Sequence, residues 1–162
     1  MNKLLFVCMG NICRSPMALA VTLQMAEMAG MKGRLEMDSA GTHGSHTGER
    51  PDSRGLATLR RHGYEAPPGR SRRIAAADFQ RFDLILGMDS NNIKNLQKAC
   101  PPNLLHKIHK FTDFSDDAQH KGTDMPDPYY SQDEGFEQVL ALCESSARGL
   151  LRSVARLPVG KS

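Results

Sequence analysis

The chain of 162 residues is long enough for one domain with a substantial buried core, and we predict a single domain over residues 1–162. Its hydrophobic fraction of 40% and charged fraction of 24% are typical of a soluble globular protein. The formal net charge of +3 is too small to indicate a nucleic-acid partner. No apolar run approaches the length of a membrane span, so we expect no such span.

Strand-length apolar runs alternate with helical patterns along the chain. The predicted strands cover residues 3–7, 35–40, 82–88 and 107–111, and the predicted helices cover 16–30, 51–63, 91–99 and 134–156. Ser15 is the predicted N-cap of the first helix, with Pro16 at its first position. Strands separated by helices indicate an α/β fold with a four-stranded parallel sheet and helices on both faces. Active sites in such sheets lie at the carboxyl ends of the strands.

The four cysteines, Cys8, Cys13, Cys100 and Cys143, form no CxxC pair and no spacing typical of metal ligands. A chain with a sufficient core also has little need of a disulfide framework. We therefore predict no metal site, and we expect a reducing, cytoplasmic environment.

A short loop after the first predicted strand carries the strongest functional pattern. Cys8 ends the strand and Arg14 lies where the helix begins, so the backbone N–H groups between them point toward one spot. The positive end of the helix dipole favours an anion there and favours the thiolate of Cys8. The planar guanidinium of Arg14 suits two phosphate oxygens. The pattern predicts a phosphate-binding loop with a nucleophilic cysteine, although a lone cysteine at a strand end is otherwise a buried hydrophobe.

The segment Val7–Pro16 resembles the low-molecular-weight protein tyrosine phosphatase family. Asp127-Pro128-Tyr129-Tyr130, ahead of an amphipathic C-terminal helix, is similar to the segment in which that family carries its general acid. Weaker matches lie at 38–42, 61–64 and 88–89, so the resemblance covers nearly the whole chain.

The resemblance implies three catalytic residues. Cys8 attacks phosphorus, Arg14 clamps the phosphate, and Asp127 protonates the leaving phenolate and then activates water. Asp113, Asp116, Asp117, Asp124 and Asp133 are the other aspartates near this segment, and only Asp127 matches the family's pattern.

The resemblance also implies supporting roles in the loop. Asn11, Ser15 and Ser39 brace it, and Cys13 traps oxidised Cys8 as a reversible disulfide. By residue type alone, Asn11 and Ser15 are equally ordinary turn and capping residues, and Cys13 equally fits simple packing.

One wall of the expected substrate cleft departs from the family. Relatives usually carry a large aromatic residue where Ser45 stands, and serine cannot stack on a phenyl ring. We expect His46 or His43 to replace that wall. The predicted substrate-binding residues are Met9, Gly10, Asn11, Ile12, Cys13, Ser15, Ser45, His46, Tyr129 and Tyr130.

The predicted function is hydrolysis of phosphotyrosine in proteins, and of small aryl phosphates, through a cysteinyl-phosphate. Because backbone amides and Arg14 provide the charge stabilisation, no metal or other cofactor is expected. The expected partner is a phosphotyrosine-containing protein, such as a tyrosine kinase, and we expect a monomer. Two alternatives stay open: arsenate reduction on the same fold, with Cys100 and Cys143 as the only further thiols, and a catalytically silent anion-binding module.

Overall fold

Four strands and five α-helices alternate along the chain in a computed structural model, which describes residues 2–156. The strands are β1 (Asn2–Cys8), β2 (Leu35–Gly41), β3 (Leu84–Gly87) and β4 (Ile108–Lys110). The helices are α1 (Arg14–Met28), α2 (Ser53–Arg61), α3 (Ala76–Arg81), α4 (Ser90–Ala99) and α5 (Asp133–Ala155), with short 3₁₀ helices at Pro102–Lys107 and Phe111–Phe114. The predicted domain range of 1–162 extends beyond the described residues at both ends.

The strands form one parallel sheet in the order β2-β1-β3-β4, which confirms the predicted sheet. Cys8, the last residue of β1, lies opposite Gly41 of β2, and Val7 lies opposite Gly87 of β3. The carboxyl ends of the three strands therefore meet at the edge where the predicted phosphate-binding loop begins.

Alternate residues of β1 belong to two separate apolar clusters. Leu4, Phe6 and Cys8 join the cluster that includes α1 and α5, whereas Leu5 and Val7 join the cluster on the opposite face. Because helices cover both faces, every residue of the strand from position 4 onward is buried. This confirms the predicted placement of helices on both faces, and it fixes Cys8 on the α1 side.

The first helix begins earlier than the sequence predicts. It starts at Arg14 with Cys13 in the N-cap position, so the prediction of Ser15 as N-cap is wrong. The Ser15 hydroxyl is instead held inside the loop by Cys8 and Asn11, and so it cannot cap the helix. The helix ends at Met28 rather than at the predicted Gly30, whose φ of 72° follows the last turn.

Helix α3 was not predicted, because six residues are too short to show a helical period. The Asp78 carboxylate accepts a hydrogen bond from the Ala75 N–H at 2.7 Å and so fixes the start of this helix. Phe79 is buried in the second apolar cluster.

Helix α5 buries the apolar face that its pattern predicts, and this face packs against α1. Gly149 lies on its contact with the 3₁₀ helix Phe111–Phe114, and a Cβ at this position would overlap the carbonyl oxygen of Phe114. Within residues 2–156, no helix combines the length and the apolar character needed to cross a membrane.

Candidate active site

The loop between β1 and α1, which we call the nucleophile loop (residues 8–13), turns at Asn11. The φ of this residue is 57°, the one positive value among the non-glycine residues of the described chain, and asparagine tolerates that conformation better than most residues. The Asn11 side chain donates to the hydroxyls of Ser15 (2.8 Å) and Ser39 (2.9 Å) and accepts the Arg72 N–H at 3.0 Å. The three residues predicted to brace the loop thus form one hydrogen-bonded group.

The Cys8 side chain lies at the base of this loop and is nearly fully buried. Its Sγ is 3.0 Å from the Ser15 Oγ and 3.3 Å from the Asn11 N–H, which points at the sulfur. A hydroxyl and an amide directed at sulfur stabilise a negative charge there. The arrangement is suited to a thiolate nucleophile.

The guanidinium of Arg14 is 2% exposed and has negative or polar partners on several sides. Its Nη1 donates to the Asp89 carboxylate at 2.5 Å and to the Met125 carbonyl at 3.0 Å, and its Nη2 is 3.7 Å from Asp127. Burial alone would lower the pKa of Arg14, but the charge of Cys8 and the hydrogen bond and charge of Asp89 raise it above its ordinary value. Arg14 is therefore a permanent, fixed cation.

Asp89 was not among the predicted site residues, although it lies in one of the weaker family matches. It lies two residues after the end of β3, which neighbours β1, and the carboxyl ends of neighbouring parallel strands lie close together. That adjacency is the signal that could have placed Asp89 beside Arg14. Its carboxylate also caps α4 by accepting the Asn92 N–H at 2.8 Å.

Asp127 lies across the cavity from the nucleophile loop, in what we call the acid segment (residues 126–132). Its carboxylate is 39% exposed, and one oxygen accepts the Tyr129 N–H at 3.1 Å. The competing Asp124 is instead paired with Lys110 at 2.8 Å. Of these two aspartates, Asp127 is the one that lines the cavity above Cys8.

These groups surround a cavity of about 210 Å³. Asn11 and Ser15, predicted among the substrate-binding residues, lie behind the loop because their side chains are used to brace it. Within the described range, no cluster of three or more histidine, cysteine or carboxylate side chains is arranged to hold a metal ion. The cavity is lined by Cys8, Met9, Gly10, Ile12, Cys13, Arg14, Ser45, His46, Asp127, Tyr129 and Tyr130.

His46, rather than a residue at position 45, provides an aromatic wall. Its ring centroid is 5.8 Å from that of Tyr129, and its Nδ1 is 2.6 Å from the Glu49 carboxylate. A Cβ at Gly10 would lie 2.9 Å from the His46 Cδ2, so the ring rests directly on the nucleophile loop. Ser45 lines the same cavity but contributes no ring.

The segment that carries this wall, residues 42–48, is anchored at both ends and is called the rim segment below. The backbone N–H groups of Thr42 and His43 donate to the carbonyls of residues 8 and 9 at 2.9 and 3.0 Å. The Gly48 N–H donates to the Ser71 carbonyl at 2.8 Å. The His43 ring is 2.9 Å from the Thr42 hydroxyl and is absent from the cavity lining, so His46 is the histidine that faces the cavity.

The other thiols differ in their positions. Burial and the nearby negative charges of Asp52 and Cys8 raise the pKa of Cys13 to about 12. Cys100 belongs to the apolar cluster on the opposite face of the sheet from Cys8. Cys143 is fully buried in α5, and burial raises its pKa.

The chain is similar to known proteins over nearly all of its length. Residues 3–158 match the family model described as low molecular weight phosphotyrosine protein phosphatase. The chain is 37% identical over 154 residues to the low molecular weight phosphotyrosine protein phosphatase of Schizosaccharomyces pombe, covering 94% of this chain and 97% of that protein. It is also 37% identical over 161 residues to the low molecular weight protein-tyrosine-phosphatase of Streptomyces coelicolor, covering 99% and 98%.

A solved structure is similar over the same length. The crystal structure of a protein tyrosine phosphatase from Entamoeba histolytica, with Hepes in its active site, matches with a TM-score of 0.91. The two chains are 37% identical, and the match covers 96% of this chain and 97% of that one.

Proposed function

The chain belongs to the low molecular weight phosphotyrosine protein phosphatase family, and we propose that it hydrolyses phosphotyrosine in proteins through a phosphorylated Cys8. The observation that carries this proposal is that Cys8, Arg14 and Asp127 line one cavity. A nucleophile, a fixed cation and a carboxylic acid are the three groups that a two-step phosphoryl transfer requires.

In the first step, the Cys8 thiolate attacks phosphorus and the bond between phosphorus and the phenolic oxygen breaks. Protonated Asp127 donates its proton to that oxygen, so tyrosine leaves as a neutral phenol. The non-bridging oxygens face the loop amides and the Arg14 guanidinium, which stabilise the charge of the transition state.

In the second step, water attacks the phosphorus of the cysteinyl-phosphate. The Asp127 carboxylate takes a proton from this water, the sulfur–phosphorus bond breaks, and inorganic phosphate is released. The Cys8 thiolate that is released accepts hydrogen bonds from the Ser15 hydroxyl at 3.0 Å and the Asn11 N–H at 3.3 Å. These contacts make sulfur a better leaving group.

The walls of the cavity support an aryl substrate. The His46 and Tyr129 rings lie 5.8 Å apart between centroids, tilted at 49° to each other, and both line the cavity together with the nucleophile loop. A flat ring carried on the phosphate can contact both walls, and a short alkyl chain has less surface to offer.

We also propose the setting in which the enzyme acts. It works as a cytoplasmic monomer on phosphotyrosine proteins, a tyrosine kinase among them. In support, all four cysteines are free thiols, and the three groups that the reaction requires, Cys8, Arg14 and Asp127, already belong to one cavity, so the chemistry calls for no residue from a second copy. Cys13 acts as a redox partner that condenses with the sulfenic acid of Cys8, with loss of water, to give a disulfide.

The two alternatives have less support. An arsenate reductase would relay a disulfide to a further thiol, but Cys100 packs on the other face of the sheet and Cys143 is enclosed in α5. A silent anion-binding module has no need of an acid such as Asp127 above the nucleophile.

Turnover of a phosphotyrosine peptide and of phenyl phosphate tests the proposal, with arsenate plus a thiol assayed in parallel. Cys8→Ser abolishes turnover. Asp127→Asn slows phenyl phosphate hydrolysis by about 10²–10⁴ and p-nitrophenyl phosphate hydrolysis by less, because nitrophenolate needs less protonation. The matched variant Asp124→Asn leaves both rates nearly unchanged. Arsenate reduction without phosphatase activity would overturn the proposal.

A further inference from the structure

The N-terminus of α2 connects the nucleophile loop to the acid segment through the backbone N–H of Asp52 and the side chain of Arg54. The Asp52 N–H donates to the carbonyl of Ile12 at 2.8 Å. Arg54 donates from Nη2 to the Tyr129 carbonyl at 2.8 Å and from Nη1 to the Ser131 carbonyl at 3.2 Å. One end of this connection is therefore in the nucleophile loop, and the other end is in the acid segment, two and four residues after Asp127.

The two side chains are fixed to each other by several bonds. The Asp52 carboxylate accepts from the Arg54 Nε at 3.1 Å and Nη2 at 2.9 Å, and it also caps α2 by accepting the Arg54 N–H at 2.9 Å. The hydrogen bond from Arg54 lowers the pKa of Asp52, so this carboxylate remains charged at neutral pH. The Arg54 guanidinium also lies over the rings of Phe136 (4.9 Å) and Tyr129 (5.7 Å).

Pro128 is buried and Tyr129 packs against the main apolar cluster, but the acid segment makes few other hydrogen bonds. In the described part of the chain, Arg54 makes the only hydrogen bonds that join residues 127–132 to a distant part of the sequence. The Asp127 carboxylate is 3.7 Å from Arg14, too far for a hydrogen bond, and its own Oδ1 accepts only from the adjacent Tyr129 N–H. The prolines beside Asp127 restrict the backbone angles but do not place the segment over the cavity.

We propose that Asp52 and Arg54 form a strut that holds the acid segment at a fixed distance from the nucleophile loop, with Arg54 as a positioning residue for Asp127. The inference rests on the proposed function and names a determinant of the same site. Arg54 does not line the cavity, so it acts through Asp127 rather than on the substrate. A general acid displaced by about 1 Å can lose roughly a hundredfold in rate, so the strut controls protonation of the leaving group.

A double-mutant cycle between Arg54→Met and Asp127→Asn tests this proposal. The measured quantity is kcat/KM for aryl phosphates whose leaving phenols range from p-nitrophenol to phenol. Arg54→Met lowers kcat/KM for phenyl phosphate by about 10- to 100-fold and for p-nitrophenyl phosphate by much less. In the Asp127→Asn background the same substitution changes kcat/KM by less than about twofold, because the acid is already absent.

Arg61→Met is the matched control. Arg61 is also on α2 and is similarly exposed, but it pairs with Glu137 of α5 at 3.2 Å and not with the acid segment. This variant leaves the dependence on the leaving group unchanged. Arg54→Lys keeps the positive charge and cannot make all the bonds of the planar fork, so it resembles Arg54→Met.

Three results would overturn the strut. Equal losses from Arg54→Met with and without Asp127 would assign a general structural role. Equal losses of kcat/KM for phenyl and p-nitrophenyl phosphate would also assign Arg54 a general structural role. Full activity of Arg54→Lys would show that only the positive charge of Arg54 matters. Each of these leaves the wild type an active phosphatase, whereas an inactive wild type would overturn the proposed function together with the strut.

Discussion

The Arg14 guanidinium and the Asp89 carboxylate form an ion pair of 2.5 Å between residues that are 75 positions apart in sequence. The pair occupies Nη1 of the guanidinium, together with the Met125 carbonyl. The other edge of the fork is thereby turned toward the cavity and Asp127. Asp89 thus determines which nitrogen atoms of Arg14 are free to bind phosphate.

Asp89→Asn tests this orientation. Asparagine is also a good N-cap, so α4 keeps its start and only the charge opposite Arg14 is lost. We expect kcat/KM for aryl phosphates to fall by about 10- to 100-fold, because the guanidinium is no longer held in one position. Competitive inhibition by inorganic phosphate should weaken in parallel. Asp124→Asn, which removes a carboxylate paired with Lys110 outside the cavity, serves as control and should change neither quantity.

The raised pKa of Cys13, about 12, predicts a thiol that stays protonated at neutral pH. Iodoacetamide at pH 8 should therefore label Cys8 well before Cys13, as peptide mass spectrometry would show. The folded state holds this proton more tightly than the unfolded chain. The free energy of unfolding should consequently fall as the pH rises above about 9, and it should fall less steeply in Cys13→Ala. Equal labelling of the two thiols would contradict the assignment.

The same thiol should protect the enzyme from peroxide, because oxidation of the Cys8 thiolate to a sulfenic acid removes one of the negative charges that raise the pKa of Cys13. Wild-type activity disappears under peroxide and returns fully with dithiothreitol, since a disulfide with Cys13 forms before Cys8 reaches the sulfinic acid. Cys13→Ser keeps its turnover but recovers poorly after the same exposure. Equal recovery of both proteins would show that Cys13 serves only in packing and not in redox protection.

The aromatic wall at His46 gives a test of ring binding. His46→Ala should raise KM for aryl phosphates by roughly three- to tenfold, since a stacked aromatic contact contributes about 0.5–1.5 kcal/mol beyond burial. The kcat should change little, because the ring contact is the same in the ground and transition states. Ser45→Trp should lower KM in the His46→Ala background more than in the wild type. An identical effect in both backgrounds would show that the two positions do not share one wall.

We predict that Gly149→Ala lowers the free energy of unfolding, although helix propensity alone predicts a rise. Alanine is favoured over glycine inside a helix by up to about 1 kcal/mol. At this position, however, the added Cβ would overlap the Phe114 carbonyl oxygen. We expect a net loss of about 1–3 kcal/mol in urea unfolding, as for other overpacked sites. Unchanged or increased stability would mean that α5 can shift away from the 3₁₀ helix.

The sequence predicts the elements whose signals are local. Continuous apolar runs mark the strands of a sheet covered on both faces, and the position of Cys8 at the end of one of them places the nucleophile loop. The N-cap of α1 could not be predicted correctly, because Ser15 has the right residue type for a cap. Only the folded loop shows that its hydroxyl is already used by Cys8 and Asn11.

The missed residues are those that act across long sequence separations. Asp89 and Arg54 are ordinary charged residues in their own segments, and each acquires its role only when another part of the chain is placed beside it. For Asp89 the parallel strand order could have supplied that neighbour. For Arg54 the contact depends on how the acid segment turns after Pro128, which no periodicity encodes.

Because the rim segment is anchored at both ends, the residues that contact the substrate ring are held separately from the residues that react with the phosphate. One end is bonded to the carbonyls of residues 8 and 9 and the other to Ser71, so the backbone between them spans two fixed points. Residues 45 and 46 can therefore exchange size, charge or aromaticity while the geometry around Cys8 stays the same. A family built on this arrangement can diversify its choice of phosphoprotein by changing two adjacent codons, without rebuilding the catalytic centre.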